Sequence, residues 1–381
     1  MRYPGKNAAF LGPKLIMEHM QNRKKGMITA GLVLCCLLIH IYSSDRDRVE
    51  TGYSAHIFPG ISRFLRAVFG WLPFSLGDIL YAAALIFLLV RLFRFLRFIF
   101  RKKKDNALEK LKKGFVSTLL VCSIIYIVFN LFWGINYNRT GIAGQLDLVI
   151  KKDYSVDELK NINGVLVQKI NSSKQSLLRS NEPYPSNAAL FSLTAEAYKK
   201  IAKKYPFLEY RPVSLKSSMW GWIGNYTGFL GYYNPFTGEA QVNTTVPKFT
   251  QPFTACHETA HQLGYAKEME ANFVGYLAAA ASDDTLFHYS VYTDLFLYAN
   301  RTLYFADSAA SLQYRKMLIP EVIADFKERK QFYLAHTGFI EPVVRALYGK
   351  FLESNQQPMG MLSYDEVTAF IIAYYKKFGE I

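Results

Sequence analysis

Cysteine is scarce in this chain of 381 residues, which contains only four. Three of them, Cys35, Cys36 and Cys122, lie inside long hydrophobic runs, and Cys256 is the fourth. Outside those runs there is therefore no pair of cysteines that could form an intramolecular disulfide. This excludes a disulfide-stapled secreted scaffold, and cysteine usage gives no indication of the redox compartment.

Acidic residues are scarce in the first third of the chain. Residues 1–134 contain 20 Lys and Arg against 7 Asp and Glu, so they carry +13 of the formal net charge of +15. A basic protein can indicate nucleic-acid binding, but here the positive charge flanks hydrophobic segments, where it sets membrane topology. We therefore expect the lipid bilayer, and not a nucleic acid, as the partner of this region.

Charge is nearly absent from three long hydrophobic runs in the same region, at 27–43, 71–90 and 115–134. Runs of this length are typical of transmembrane helices, whereas buried core helices have shorter apolar runs. Three arginines spaced along one helical face extend the second run, so the predicted membrane helices are about 27–43, 71–97 and 115–134. The first run has the basic flank of a signal peptide, but no small-x-small cleavage site follows it. We expect an uncleaved signal anchor.

Basic residues are concentrated before the first predicted span, at 23–25, and between the second and third spans, at 101–113. The positive-inside rule places both clusters in the cytoplasm. Three crossings of the cytoplasmic membrane then leave the rest of the chain on the extracytoplasmic side. The chain accordingly divides into a membrane region, residues 1–134, and an extracytoplasmic domain, residues 135–381.

No internal repeat or low-complexity linker is visible in residues 135–381. Ser155 with Glu158, and Ser363 with Glu366, form capping-box patterns that each predict the start of a helix. The stretch 217–245 is rich in Gly, aromatic and β-branched residues and predicts a short β-hairpin or small sheet. Further helices are predicted near 194–204, 252–263, 268–281, 284–306, 308–334 and 339–353. The predicted fold class is a mainly α membrane protein, with three N-terminal transmembrane helices followed by a predominantly helical α+β domain.

His257, Glu258 and His261 form the motif His-Glu-x-x-His. On a helix the two histidines are one turn apart and project from one face, where two neutral imidazoles can bind one tetrahedral zinc ion. Glu258 then lies near the open coordination position of the metal. Its carboxylate can act as the general base on a water molecule and can later return the proton to a leaving amine.

A catalytic zinc needs a third protein ligand, and Glu268 and Glu270 follow the motif closely. Here the sequence resembles the glutamate-ligand zincins, in which the His-Glu-x-x-His helix is followed by a Glu-x-x-Ala-Asp/Asn helix. Glu268, Ala271 and Asn272 match that pattern. The resemblance implies that Glu268 is the third ligand and that Asn272 orients a histidine ligand. Glu270 fits by spacing alone and is the alternative.

The layout as a whole is similar to an uncharacterised bacterial family of membrane proteins, in which three spans precede an HExxH domain. That resemblance implies a zincin-like extracytoplasmic domain and does not indicate a substrate. In the metzincins the third histidine would fall at position 267, where this chain has Lys267.

These patterns predict a membrane-anchored zinc-dependent peptidase that hydrolyses a peptide or protein substrate outside the cytoplasm. The HExxH motif follows the third span by about 120 residues, so cleavage within the bilayer is not expected. The alternative is a catalytically inactive zinc-binding scaffold or receptor domain, although a structural zinc site would not need Glu258. A channel or transporter is not supported, because the spans lack central charge pairs. Neither the identity of the substrate nor the oligomeric state follows from the sequence.

Several other residues carry weaker predictions. Cys256 projects about 100° away from His257 on a helix, so we expect it to be a small buried apolar residue. Residues 228–243 either form an edge strand that pairs with an extended peptide or form an ordinary hairpin. One of four tyrosines could assist an oxyanion: Tyr289, Tyr292, Tyr298 or Tyr304.

The predicted orientation can be tested with reporter fusions. Because both basic clusters are expected in the cytoplasm, a reporter that is active only there should be silent when it is joined to Ile381. The same reporter inserted within 101–113 should be active and serves as the control. Activity of the C-terminal fusion would reverse the predicted orientation.

Overall fold

The computed structural model describes residues 13–100, 107–151, 153–358, 360 and 366–381. This described part of the chain is mostly helical, with three helices long and apolar enough to cross a membrane and one small mixed sheet. This confirms the predicted fold class.

The helices and strands follow one another along the whole chain. The helices are α1 (Pro13–Ser43), α2 (Arg46–Arg48), α3 (Phe58–Phe69), α4 (Leu76–Ile99), α5 (Ala107–Phe132), α6 (Gly141–Gln145), α7 (Val156–Ser180), α8 (Asn187–Ile201), α9 (Gly221–Thr227), α10 (Gln251–Gln262), α11 (Glu268–Ala280), α12 (Thr285–Ala306), α13 (Ser308–Lys316), α14 (Pro320–His336), α15 (Ile340–Ser354) and α16 (Val367–Phe378). The strands are β1 (Leu215–Ser217), β2 (Gly231–Asn234) and β3 (Glu239–Val242). A π-helical segment, Val49–Ile57, connects α2 to α3.

The candidate membrane helices are parts of α1, α4 and α5, at Gln21–Ser43, Leu76–Phe98 and Leu111–Phe132. The second begins at Leu76 and not near residue 71 as predicted, because the Ser75 hydroxyl accepts a hydrogen bond from the Asp78 N–H and caps the helix there. Helices α1 and α5 pack against each other. Within the described residues α4 packs extensively against neither, and from Ile79 onward its described side chains are mostly exposed around the helix. Part of the basic cluster at 101–113, residues 101–106, lies outside the described residues.

Helix α3 was not predicted, and it lies between the first two spans. Its inward face includes two polar side chains: Ser62 Oγ donates to the carbonyl oxygen of Gln262 at 2.6 Å, and Arg66 Nη1 donates to the same oxygen at 3.1 Å. Ser62 and Arg66 are each only 2% exposed. The segment between the first two spans is therefore joined to the C-terminal part of the chain through the end of α10.

The main hydrophobic core is formed largely by α7, α8, α10, α11, α12 and α16 together with β1 and β3. The capping box of Ser155 and Glu158 is present and begins α7 as predicted. The second predicted capping box contains Ser363, which lies outside the described residues. The single helix predicted at 308–334 is wrong, because α13 ends at Lys316 and α14 begins at Pro320. Proline starts a helix well but holds the preceding residue, Ile319, in extended backbone.

The sheet has the strand order β1-β3-β2. β1 pairs with β3 in parallel, and β2 pairs with β3 as the predicted hairpin, with Gly231 opposite Val242. The hairpin turn is stabilised by Asn234, whose Oδ1 accepts from the N–H groups of Phe236 and Thr237. The rest of the stretch 217–245 is not β structure, since it contains the short helix α9. β2 therefore lies at one edge of the sheet.

Candidate metal centre

Helix α10 carries the His-Glu-x-x-His motif, and all of its residues are buried. His257 and His261 project from the same face, with ring centroids 4.7 Å apart. The helix stops where Gly264 adopts a left-handed backbone with φ of 89°, a conformation that glycine tolerates best. The chain therefore turns directly after the motif.

Helix α11 packs tightly on α10 at the level of the motif. A Cβ atom on Gly275 would lie 3.0 Å from the backbone nitrogen of His257 and 3.1 Å from its Cα, so a larger residue here would force the two helices apart by a few tenths of an ångström. The close packing brings Glu268, in the first turn of α11, to the two imidazoles. Glu268 Oε2 lies 3.3 Å from His257 Nε2 and 3.7 Å from His261 Nε2.

The three side chains fit a tetrahedral cation. One ligand atom from each of His257, His261 and Glu268 lies within 4.8 Å of the other two. Ligands about 2 Å from a common tetrahedral centre are separated from one another by about 3.3 Å, close to both distances measured here. Glu268 Oε2 is buried and has no hydrogen bond to any described residue, as expected of an oxygen that is directed at a cation.

Hydrogen bonds hold two of these side chains in place. His261 Nδ1 lies 2.8 Å from the carbonyl oxygen of Tyr265, which can only accept, so Nδ1 carries a proton and Nε2 faces Glu268. Tyr348 of α15 donates from its hydroxyl to Glu268 Oε1 at 2.7 Å. The N–H of Glu268 donates to Gln357 Oε1 at 2.9 Å. Sequence reasoning missed Tyr348 and Gln357, and no local pattern marks either residue.

The surroundings of the site shift the pKa values of its two carboxyl groups, Glu268 and Glu258, in opposite directions. Burial opposes ionisation of Glu268, but the imidazoles of His257 and His261 outweigh burial and lower its pKa. Burial raises the pKa of Glu258 to about 7, and the same two imidazoles oppose that rise only in part. Burial also disfavours the charged form of His261, but Glu268 and Glu258 outweigh it and raise the pKa of this histidine. Glu268 therefore has the environment of a charged ligand, and Glu258 that of a group able to exchange a proton.

Glu258 lies where α10 meets β2, on the wall of an open cleft. A Cβ atom on Gly231 would be 2.6 Å from Glu258 Oε1, so the glycine lets the edge strand approach the carboxylate directly. Glu258 Oε2 is buried without a hydrogen-bond partner among the described residues. The cleft is lined by segments that include 227–231 and by residues of α10, α11, α12 and α15.

Glu270 lies on the opposite side of α11 from this cleft. Its carboxylate is 3.8 Å from Lys267 and would collide with a Cβ atom on Gly141. It belongs to a buried polar cluster in which Arg139 forms a bidentate ion pair with Glu50, at 2.6 and 2.9 Å. The structure thus brings Glu268, and not Glu270, to the histidines.

The remaining predicted residues separate clearly. Asn272 lines the cleft, and its buried Nδ2 has no hydrogen-bond partner among the described residues; its role in orienting a histidine stays a prediction. Cys256 is fully buried, as predicted. Of the four candidate tyrosines, Tyr298 lines the cleft. The other three do not line it: Tyr289, Tyr292 and Tyr304.

Comparison with known proteins yields one match. Residues 53–372 match the family model described as "Protein of unknown function (DUF3810)". No curated protein and no solved structure matches the chain. Because the match covers most of the sequence, the protein belongs to the DUF3810 family.

Proposed function

We propose that this protein is a membrane-anchored zinc-dependent peptidase whose site faces the extracytoplasmic space. One observation carries the proposal: His257, His261 and Glu268 converge on a common point beside an open cleft, and Glu258 lines that cleft. A structural zinc site is normally closed by four protein ligands, whereas a catalytic one has three and an accessible position. By this reasoning the C-terminal part of the chain is a zincin-like domain.

The chemistry assigned to these residues is hydrolysis of a peptide bond. Zinc held by the three side chains would polarise the substrate carbonyl and make water more acidic. Glu258 takes a proton from the attacking water, whose oxygen bonds to the carbonyl carbon. Glu258 then delivers that proton to the amide nitrogen as the C–N bond breaks, so that an acid and an amine are released. A pKa near 7 suits a group that both accepts and donates a proton.

The edge strand β2 suits an extended substrate. Among the described strands β2 pairs only with β3, and Gly231 at its start contacts Glu258. A peptide added alongside β2 would form main-chain hydrogen bonds and pass in front of the catalytic carboxylate. This assigns the segment 228–243 to substrate binding, the first of the two roles that the sequence left open.

Metal content tests the ligand set. We expect about one tightly bound zinc ion per chain, and the double variant His257→Ala/His261→Ala should bind none because two of three ligands are lost. The matched control is His288→Ala/His336→Ala, since those two histidines contact backbone carbonyl oxygens elsewhere. Metal analysis of the purified proteins provides the measurement. Stoichiometric zinc in the first double variant would rule out this site.

Two glutamine variants distinguish Glu268 from Glu270. Both glutamates are buried on α11, but only Glu268 faces the histidines. Glu268→Gln should weaken zinc binding by more than the about 10- to 100-fold that loss of a ligand's hydrogen-bonding partner costs. Glu270→Gln should leave zinc affinity nearly unchanged. Competition with a chelator measures both affinities, and the reverse order would transfer the ligand role to Glu270.

Replacement of Glu258 tests the enzymatic function. Glu258→Gln has nearly the same size but cannot act as a base, so it should fold and bind zinc while hydrolysis of a mixed peptide pool falls at least about 10²-fold. Glu196→Gln, an exposed change on α8 beside Lys199, is the control and should retain the wild-type rate. Mass spectrometry of the peptide pool follows cleavage. If Glu258→Gln complements a deletion strain as well as wild type does, the zinc-binding scaffold is the better description.

A further inference from the structure

The candidate site lies directly on the end of the third span. Trp133 immediately follows α5, and its indole N–H donates to the carbonyl oxygen of His261 at 3.1 Å. The Trp133 ring also packs against the His261 ring, with centroids 6.0 Å apart. A residue at the membrane boundary therefore contacts a proposed zinc ligand, although about 130 residues separate the two in sequence.

The edge strand β2 lies over the ends of two spans. The Tyr232 hydroxyl donates to Asp78 in the first turn of α4. The Tyr233 ring packs against Trp133, with centroids 5.2 Å apart. Glu239 of the adjacent strand β3 accepts hydrogen bonds from the N–H groups at the start of α4. The sheet that borders the cleft is thus attached to α4 on one side and to α5 on the other.

Helix α15 forms a wall of the cleft and has an apolar outer face. Its inner face, which includes Glu341 and Tyr348, lines the cleft. The outer face carries large apolar side chains at helical spacing that are 39% to 65% exposed: Ile340, Val343, Leu347 and Phe351. The Phe351 ring packs against Tyr137, just beyond the third span, with centroids 6.2 Å apart. The apolar face therefore continues from the end of α5.

Two further surfaces near the spans have the same character. One is α9. The two residues before it, Met219 and Trp220, donate hydrogen bonds from N–H groups to Asp78 at the start of α4. Within α9 the side chains of Trp222 and Ile223 are exposed. α3 turns its polar side chains inward, as described above. The large apolar side chains that point outward along α3 and its flanks are 39% to 75% exposed: Ile57, Phe64, Val68 and Trp71. The charged exception is Arg63, which is exposed and pairs with Glu209.

Lipid is the occupant that these surfaces fit. Exposed apolar areas of this extent are unfavourable in water and mark contact with a membrane or a partner. All three are attached to the boundary ends of the spans, and two of them are rich in tryptophan and other aromatic residues, as is typical of side chains at the membrane interface. A helix with apolar side chains outward and Arg66 buried inward is the arrangement expected at a lipid surface.

We propose that the outer faces of α3, α9 and α15 lie in the outer interface of the bilayer, and that the cleft takes polypeptides anchored in the same membrane, which are cut close to the point where they leave the bilayer. The inference rests on the proposed peptidase function. Its physical basis is proximity: an anchored chain is confined to the surface on which the cleft opens, so its effective concentration is far higher than that of a free peptide.

The lipid contact can be measured without any catalysis. The full chain, with Cys35, Cys36 and Cys122 replaced by Ala, is placed in lipid nanodiscs and labelled with a fluorophore at Leu347→Cys. Brominated acyl chains should quench this label at least about threefold more than a label at Gln168→Cys, an exposed position on α7, which packs against α12, α13 and α16. Equal quenching at the two positions would overturn the proposal, whatever the activity, and would favour a protein partner on α15.

The substrate class is measured with one peptide pool in two forms. Each peptide is supplied in one of two forms. It is either free in solution, or joined to a hydrophobic helix of about 20 residues that is inserted in the same nanodiscs as the zinc-loaded protein. The anchored pool should be cleaved at least about 10²-fold faster than the free pool at equal total concentration, and Glu258→Gln should abolish both reactions. Equal rates would overturn the anchored-substrate inference while leaving the peptidase function intact. Quenching at position 347 with no cleavage of either pool would overturn both the anchored-substrate inference and the proposed peptidase function. The lipid contact would stand, and the proposed hydrolysis would be the part that is wrong.

Discussion

The approach of α11 to α10 at Gly275 determines what the site can be. Two helices whose backbones come this close hold their side chains in a fixed relation, because interiors packed at this density deform little. Glu268 is in the first turn of α11, and at this helix separation its Oε2 lies 3.3 and 3.7 Å from the two imidazoles. Tyr348 and Gln357 then hold Glu268 from the side that faces away from the histidines. The close packing of His257, His261 and Glu268 is thus favoured by the absence of a side chain at Gly275.

The membrane segments support this site as well as anchor it. Trp133 binds the carbonyl end of α10, Arg66 binds the same end from α3, and Glu239 caps α4 from the sheet. Each contact joins a residue at the end of a candidate span, or in the segment between the first two, to an element that carries or borders the candidate metal centre. A shift of one span would therefore be transmitted to the ligand helix through short, mostly buried hydrogen bonds.

Local features of the site could be predicted from the sequence, whereas features that depend on distant residues could not. The two histidines, the turn at Gly264 and the position of Glu268 all fall within twelve residues, where helical periodicity and one turn fix the geometry. The resemblance to an uncharacterised three-span family is confirmed as membership of the DUF3810 family, and the zincin assignment stays a prediction. Tyr348 and Trp133 reach the site from 80 or more residues away, with no local pattern to mark them. The small sheet predicted within 217–245 is present, and the same stretch also contains the short helix α9, which the sequence did not separate from it.

The ion pair between Glu50 and Arg139 has a consequence for the order of assembly. Glu50 follows the first span and Arg139 follows the third, so the pair forms only after all three spans are inserted with their ends on the same side. Until then Arg139 is a charge without its partner at a position that becomes buried, and lack of one member of such a pair costs about 3–5 kcal/mol. The cluster around Arg139 also contains Lys267, next to the proposed ligand Glu268. Insertion of the membrane region and completion of the candidate metal centre are therefore linked through the buried cluster around Arg139.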